Sequence, residues 1–198
     1  MPNLLKRIFV LMAVLAAGHF AVAQELTAEQ IGHDSSGHTF KSKVYLSHNK
    51  VRIESESDKS IMLLDLDAGT SVVLDPERKT YLEQPAGTAH QNVIAFRTAD
   101  NTPCVRNPNS KGTGTCTQVG TERINGRKAE KWEIIQPMGG QTVTAHVWLD
   151  AQWHFRVKQE VAGMTGEMQN IKEGPQPAAL FEIPSDYQKM TIQDKYKK

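Results

Sequence analysis

The sequence predicts a mainly β protein (class α+β) built on an antiparallel sheet, with a few short helices. Apolar and polar residues alternate with a period of two in several runs, which is typical of strands that have unlike faces. Turn residues separate these runs at intervals of about 8–12 residues, the spacing of an antiparallel meander. Runs with helical periodicity are few and short.

The first half of the chain contains three clear strand patterns. Phe40–Leu46 and Val51–Glu54 alternate between apolar and polar residues, so each is predicted as a strand with unlike faces. Ile61–Leu64 is apolar on both faces, which indicates a strand that is covered on both sides. The turn signals between strands are Ser47–Asn49, Ala68-Gly69 and Asp75–Glu77.

The second half continues as a series of hairpins. Asn125-Gly126 lies between Thr121–Ile124 and Arg127–Gln136, and this dipeptide is the strongest short signal for a two-residue hairpin turn. The polar stretch Ala99–Thr115 is predicted as a long loop. Further strands are predicted at Gln141–Asp150, Trp153–Ala162 and Met164–Lys172, with turns at Met138–Gly140, Asp150–Gln152 and Gly163.

Helical signals occur at three places. Glu25–Ile31 is predicted to be a short N-terminal helix or a flexible tail. Thr88–Thr98 is predicted as a helix, and Pro177–Phe181 as a single helical turn. These elements account for the helical part of the predicted class.

The N-terminus has the three parts of a secretory signal peptide. Lys6 and Arg7 give a positive start, Ile8–Ala17 is apolar throughout, and residues 21–23 match the small-x-small pattern of a cleavage site. Cleavage between Ala23 and Gln24 is therefore expected. The alternative is an uncleaved anchor, but a spanning helix needs about 20 apolar residues and this run is shorter. We expect a periplasmic protein that is not an integral membrane protein after cleavage.

Cys104 and Cys116 are the only cysteines of the chain. An oxidising compartment favours a disulfide between them, which closes a loop of about 13 residues and contributes roughly 3 kcal/mol in the chain-entropy model. The alternative is two free thiols. The spacing excludes a Cys-x-x-Cys redox pair, and neither cysteine lies near the predicted cleavage site, so no N-terminal lipid anchor is expected.

One domain is expected after cleavage, because the remaining 175 residues (198 minus 23) suit a single core. We expect a flexible segment at 24–37, the domain at 38–190 with a disulfide-stapled loop near 99–117, and a polar tail at 191–198. Without Lys6 and Arg7 the chain has 21 basic residues (23 minus 2) against 22 acidic ones. No basic stripe indicates a nucleic-acid partner.

Several short motifs together resemble one known family. The matching segments, in the family's order, are Val51–Ile53, Asp75–Tyr81, Gly120–Gly126 followed by Ala129–Glu133, Trp148–Asp150 and Leu180–Tyr187. They are similar to motifs of exported proteins of unassigned function with a lipoprotein-carrier-like (LolA-like) fold, of the DUF4412 type. The resemblance implies an incomplete β-barrel: a strongly curved antiparallel sheet with a few short helices near its concave face. In related carriers that hollow holds acyl chains.

No residue pattern predicts an enzyme. The chain has no G-x-S-x-G nucleophile turn, no phosphate-binding glycine loop and no H-E-x-x-H zinc motif, so no catalytic residue, cofactor or metal is expected. His146 and His154 lie on neighbouring predicted strands, and His33 and His38 bracket Asp34. A metal or proton site is the less favoured interpretation of these histidines, because zinc sites normally have three or four ligands at recognisable spacing.

The carboxylates are interpreted as structural or solvated. Glu54 and Glu56 share a predicted strand face with Arg52, which favours a solvated face over a pair of catalytic acids. Glu122 and Arg123 stand beside the hairpin turn and are expected to be structural.

Methionine and aromatic residues concentrate in the strand-rich part of the chain. Methionine is adaptable and frequent on apolar surfaces that accept varied ligands. The residues expected to line an apolar ligand site are Met62, Leu64, Trp132, Ile134, Trp148, Phe155, Met164 and Met168. Ordinary core packing is the alternative for the same residues.

The pattern and the resemblance together predict a non-enzymatic exported carrier for a lipid-like or other apolar ligand. An acyl chain suits such a site, because each buried methylene contributes about 0.8 kcal/mol. The alternative is an envelope protein-interaction module, a stress sensor or assembly factor, that binds a protein partner. A hydrolase or metalloenzyme is the least favoured class.

Overall fold

A computed structural model describes residues 25–84, 103–104, 114–138 and 140–191. These residues form one 12-stranded sheet. Its strands are β1 Glu25–His33, β2 Thr39–Ser47, β3 Lys50–Ser55, β4 Ile61–Asp65, β5 Thr70–Asp75, β6 Thr80–Glu83, β7 Thr115–Ile124, β8 Arg127–Met138, β9 Gln141–Asp150, β10 Arg156–Val161, β11 Met164–Glu173 and β12 Gln188–Lys189. The predicted signal peptide, the predicted helix Thr88–Thr98 and most of the predicted tail lie outside the described residues.

The sheet is open, in the order β12-β6-β5-β4-β3-β2-β1-β11-β10-β9-β8-β7. Two antiparallel meanders, β1–β6 and β7–β11, join where β1 pairs antiparallel with β11. Gln30 lies opposite Met168 in this central pair. Only the short β12 runs parallel to its neighbour, β6. The prediction of a mainly β, antiparallel meander is therefore confirmed.

The prediction for Glu25–Ile31 is wrong, because this segment is neither a helix nor a tail. It forms most of β1, which lies in the middle of the sheet between β2 and β11. Leu26 and Ala28 are buried, whereas Glu29 is exposed. The residue types favour a helix locally, but pairing on both sides overrides that preference. The segment 24–37, expected to be flexible, thus contains a central strand.

The predicted hairpin turn at Asn125-Gly126 is confirmed. The two residues have φ angles of 48° and 82°, and a type I′ turn requires positive φ at both central positions. Asparagine and glycine adopt these angles most readily, so the dipeptide itself selects the turn.

Helical structure is scarcer than expected. Among the described residues it is limited to the 3₁₀ turn Ala178–Phe181, at the position predicted for one turn. The expectation of a few short helices is therefore wrong for this part of the chain. No helix in the described ranges is long and apolar enough to cross a membrane. The predicted loop Ala99–Thr115 ends one residue earlier than expected, since β7 begins at Thr115.

The sheet is strongly bent near the turn between β7 and β8. In a flat sheet β8 lies about 14 Å from β11, because β9 and β10 stand between them. Nevertheless, the Asn125 side-chain amide donates a hydrogen bond of 2.8 Å to the Met168 carbonyl oxygen. Arg127 also reaches Glu173, with Nη1 2.6 Å from Oε1. These contacts fit the curved sheet that the resemblance implies.

Two apolar clusters hold the sheet together. The main cluster contains buried residues of both meanders: Leu26, Ala28, Val44, Leu46, Val51, Leu64, Ile124, Ala129, Trp148, Trp153, Phe155, Val157 and Met168. The second cluster contains Ile134, Val147 and Leu149, with Cys116, Trp132 and Ala145 packed against it. The main cluster thus fixes the two meanders to each other, and the second belongs to β7–β9 alone.

Candidate functional site

An apolar row crosses five strands on one face of the sheet. Its members are Met164, Val161, Ala145, Ile134 and Cys116, on β11, β10, β9, β8 and β7 respectively. Each lies directly opposite the next on the neighbouring strand. Directly opposite residues share a face and their side chains touch. The row is therefore a continuous apolar band across half of the sheet.

The side chains of this row differ in their exposed fraction. Met164 is 43% exposed and Ile134 only 9%. Val161, Ala145 and Cys116 are half-buried. The band is open at the β11 end, and at β8 it is buried within the second cluster, where Ala145 and Cys116 pack against Ile134.

Trp132 and Val147 extend the row toward the middle of β8 and β9. They lie opposite each other, two residues along from Ile134 and Ala145, and so share the same face. Val147 is 2% exposed, and Trp132 is half-buried. Trp132 Nε1 is buried without a hydrogen-bond partner, which costs about 1–3 kcal/mol. We call these two residues and the row together the apolar strip.

The predicted disulfide closes the β7 end of the apolar strip. Cys104 and Cys116 are bonded, with their Cα atoms 5.7 Å apart. Cys116 lies opposite Ile134. The bond therefore fixes residue 104 next to the half-buried β7 end of the strip.

The structure divides the residues expected to line a ligand site. Leu64, Trp148, Phe155 and Met168 are at most 3% exposed within the main cluster, and Met62 packs against it. Their placement agrees with core packing, because side chains without exposed surface are in contact on all sides. Trp132, Ile134 and Met164 belong to the apolar strip instead. These three are the expected residues that the structure brings together at a partly open surface.

Trp148 lies on the opposite face of β9 from Val147 and is sealed by charged residues. Its Nε1 donates to Glu122 Oε2 at 3.0 Å. The Nζ atoms of Lys131 and Lys158 lie 4.8 and 4.5 Å from ring centroids of the indole. The hydrogen bond from Trp148, followed by that from Lys131, lowers the pKa of the Glu122 carboxyl. Glu122 is thus structural, as expected.

The histidines are dispersed. His146 Nε2 lies 3.4 Å from Glu133 Oε2, and His146 pairs across the ladder with Glu160, not with His154. His154 lies in the turn between β9 and β10 with a φ of 56°. His38 contacts Asp34 within a turn. The described part of the chain contains no group of three or more residues suited to hold a metal.

The pair Glu54 and Glu56 does not form a catalytic arrangement. Glu54 Oε1 accepts a 2.7 Å bond from Arg52 Nε, while Glu56 is exposed in the turn after β3. Arg52 also donates to the Leu180 carbonyl oxygen at 2.9 Å. This contact ties β3 to the 3₁₀ turn, so the arginine has a structural role.

Two cavities open elsewhere on the surface. One of about 330 Å³ lies at the β5–β6 end, and its lining includes apolar Val73, Leu82 and Met190 and charged Asp58, Asp75 and Arg78. A polar one of about 580 Å³ lies beside the β7–β8 turn. Neither contains a residue of the apolar strip.

Sequence patterns found only part of this surface. Alternation places Ala145 and Val147 on one face of a strand, as observed. Val161 and Cys116 were not among the expected lining residues, because membership of the row depends on register with neighbouring strands. A bulge between Gln118 and Gly120 sets the β7 register, and the isolated glycine inside the strand is the one sequence signal that marks it.

Comparison with known proteins gives a fold but no family. No family model matches the chain, and no curated protein matches it, so the DUF4412 type stays a prediction. An uncharacterised conserved protein from Thermus thermophilus is similar in structure, with a TM-score of 0.51 and 10% identity over 86% of this chain and 91% of that one. This likeness shows a shared fold alone.

Weaker structural likenesses include members of the LolA superfamily. A LolA superfamily protein from Nitrosomonas europaea has a TM-score of 0.38 and 10% identity, covering 81% of this chain and 90% of that one. A chain of the MucA/MucB complex of Pseudomonas aeruginosa has a TM-score of 0.44 and 14% identity, covering 85% of this chain and 59% of that one. At these scores neither likeness bears on function.

Proposed function

We propose that this chain is an exported, non-enzymatic carrier that binds an acyl chain or another apolar ligand on the apolar strip. The observation that carries the proposal is the continuous apolar row from Met164 to Cys116 on one face of an open sheet. A soluble protein normally buries such a band or uses it to bind. Export to the periplasm, through the signal peptide expected at residues 1–23, places it where apolar molecules need shielding from water.

Binding on the apolar strip needs no charged residue. Each methylene removed from water contributes about 0.8 kcal/mol, so a long acyl chain gains several kcal/mol from contact with the strip. Met164 is the member that a ligand reaches first, since it is 43% exposed and the other members are half-buried or buried. Leu64, Trp148, Phe155 and Met168 support the curved sheet and stay out of contact with the ligand.

The test is binding of a fluorescent fatty acid to the wild type and to Met164→Glu. The variant should bind roughly tenfold more weakly, because it replaces an apolar contact worth about 1.4 kcal/mol with a charged group. Ile183→Glu is the matched control, since Ile183 is 36% exposed but lies outside the strip. Native mass spectrometry of gently purified protein gives a second readout. Absence of any bound lipid, together with no fatty-acid binding, would refute the carrier function.

The second candidate is an envelope protein-interaction module. The exposed edge strand β7 favours it, since a free edge accepts a strand from another protein. Crosslinking in cells separates the two candidates. A discrete protein partner recovered without lipid supports the interaction module, whereas lipid recovered with no protein partner supports the carrier.

A further inference from the structure

The two edges of the sheet are protected very differently. The β6 edge carries the two-residue strand β12, held by ion pairs of Lys79 with Asp186 and of Lys189 with Glu83. At the other edge, β7 pairs with β8 and with no other strand of the described residues. Short edge strands, charges and proline are the usual means of preventing edge pairing. The β6 edge has the first two of these, whereas β7 is ten residues long and its charges are confined to Glu122 and Arg123 near one end.

The unpaired edge of β7 is long and accessible. Thr115 and all residues from Thr117 to Arg123 are exposed on both faces of the strand. Its central residue, Val119, is 49% exposed. Glu122 and Arg123 are its only charged residues, and it contains no proline. The bulge at Val119 divides it into two regular halves, 115–118 and 120–124.

The hairpin turn determines which backbone groups face outward. In a two-residue type I′ hairpin the flanking residues, Ile124 and Arg127, exchange hydrogen bonds with each other. The alternation of the ladder then directs the N–H and C=O groups of Thr121 and Arg123 away from β8. Beyond the bulge, Gln118 and Cys116 lie opposite Trp132 and Ile134 of β8. Counted by alternation from Arg127, these two β8 residues do not bond to β7, so the N–H and C=O groups of Gln118 and Cys116 also point away from β8.

These outward groups are self-complementary. An antiparallel copy of β7 can be placed so that Cys116 lies opposite Arg123 of the second copy and Gln118 lies opposite Thr121 of the second copy. All four residues have outward backbone groups, and all lie on the face of the apolar strip by their pairing with β8. Each pair occurs twice about a two-fold axis, with the two bulges at the axis. No like charges lie opposite each other in this register.

We propose that β7 is a dimerisation edge that pairs antiparallel with β7 of a second copy of this chain. The pairing closes the free edge by a two-fold interface, the commonest symmetry of soluble oligomers. It joins two curved sheets into one and leaves the apolar strips of both copies on the same side. The pairing also leaves no edge of β7 free for a different protein. The dimer does not depend on whether the chain carries lipid.

The test is sedimentation equilibrium of the purified chain over a wide concentration range. The wild type should show a reversible monomer–dimer equilibrium. The double variant Gln118→Lys/Thr121→Lys should dimerise roughly tenfold more weakly, because two like-charge pairs then lie opposite each other. Gln118→Lys/Thr121→Glu should restore dimerisation to the wild-type level or above, since the same positions then carry opposite charges.

Controls separate edge pairing from general charge effects and from misfolding. Thr142→Lys/Thr144→Lys adds the same charge at exposed positions of β9 and should leave the equilibrium unchanged. Circular dichroism should show the same sheet content for every variant, and the same melting temperature at concentrations where all variants are monomeric. The proposal is overturned by a chain that is monomeric at all concentrations. It is equally overturned if the Lys/Lys variant associates as tightly as wild type, or if the Lys/Glu variant shows no recovery.

Discussion

Replacing Arg127 by methionine should destabilise the fold by about 2–3 kcal/mol. Arg127 Nε donates to Asp150 Oδ2 at 2.6 Å, and its Nη1 donates to Glu173 Oε1 at 2.6 Å. The guanidinium also lies 5.5 Å from the ring centroids of both Trp153 and Phe155. Arg127 therefore joins the start of β8 to the end of β9, to β11 and to the main cluster.

The magnitude follows from the burial of the two partners. The Asp150 side chain is 3% exposed and that of Arg127 is 20% exposed. Removing one partner of a buried pair costs about 3–5 kcal/mol, because the other charge is left uncompensated. The loss is smaller for Arg127, since Asp150 Oδ1 still accepts bonds from the backbone N–H groups of Gln152 and Trp153. Methionine keeps the apolar stem, so little packing is lost.

Urea denaturation followed by tryptophan fluorescence measures the effect as a shift of the midpoint. Lys189→Met is the control, because its pair with Glu83 is about half exposed on both sides and is worth at most about 1 kcal/mol. The double variant Arg127→Met/Asp150→Asn should recover part of the loss, since it removes the stranded charge. This account is refuted if Arg127→Met shifts the urea midpoint no more than Lys189→Met does. It is also refuted if the effects of Arg127→Met and Asp150→Asn simply add in the double variant.

Three further predictions concern turns and the disulfide. Asn125→Ala should lower the free energy of unfolding by about 2 kcal/mol, because alanine tolerates the positive φ poorly and cannot donate to the Met168 carbonyl oxygen. Asn125→Gly, which removes the side-chain hydrogen bonds to Met168 and Glu167 but adopts the positive φ freely, should cost less in the same urea titration. Hydrogen bonds from Ser36, then from His38, lower the pKa of Asp34 below its unfolded value. The ionised Asp34 carboxylate therefore contributes to the free energy of unfolding above about pH 4, and this contribution is lost as the pH falls through the lower folded pKa. Asp34→Asn should lack this part of the decline of the urea midpoint at acidic pH. Cys104→Ser/Cys116→Ser should be about 3 kcal/mol less stable than the oxidised chain. Dithiothreitol should lower the melting temperature of the wild type alone, and equal effects on both proteins would contradict the role of the bond.

Local sequence signals explain the hairpins well. The turn at Asn125-Gly126 needs positive φ at two successive residues, and few dipeptides adopt these angles at low cost. Alternation along β2 likewise gives buried Val44 and Leu46 between more exposed neighbours. Such features depend on residues that are close in sequence, so one sequence is enough to predict them.

The central strand could not be predicted in the same way. Glu25–His33 contains residues with good helix propensity, and its strand form depends on partners far away in sequence. Ile31 pairs with Lys41 on one side and with Glu167 on the other. Only formation of both ladders makes the extended conformation favourable, and no local pattern reports a partner more than 100 residues away.

The division of the expected ligand-lining residues has the same origin. Alternation places Val147 and Trp148 on opposite faces of β9, but it cannot show what covers either face. Cross-strand register puts Lys131 and Lys158 beside Trp148, and it puts Trp132 beside Val147. The lysines and Glu122 seal the first face, so an apolar ligand there would have to break charged hydrogen bonds. The opposite face presents apolar side chains that open toward Met164. The physical case for a ligand therefore rests on the apolar strip alone, although Trp148 is the larger and more deeply buried apolar feature of the same strand.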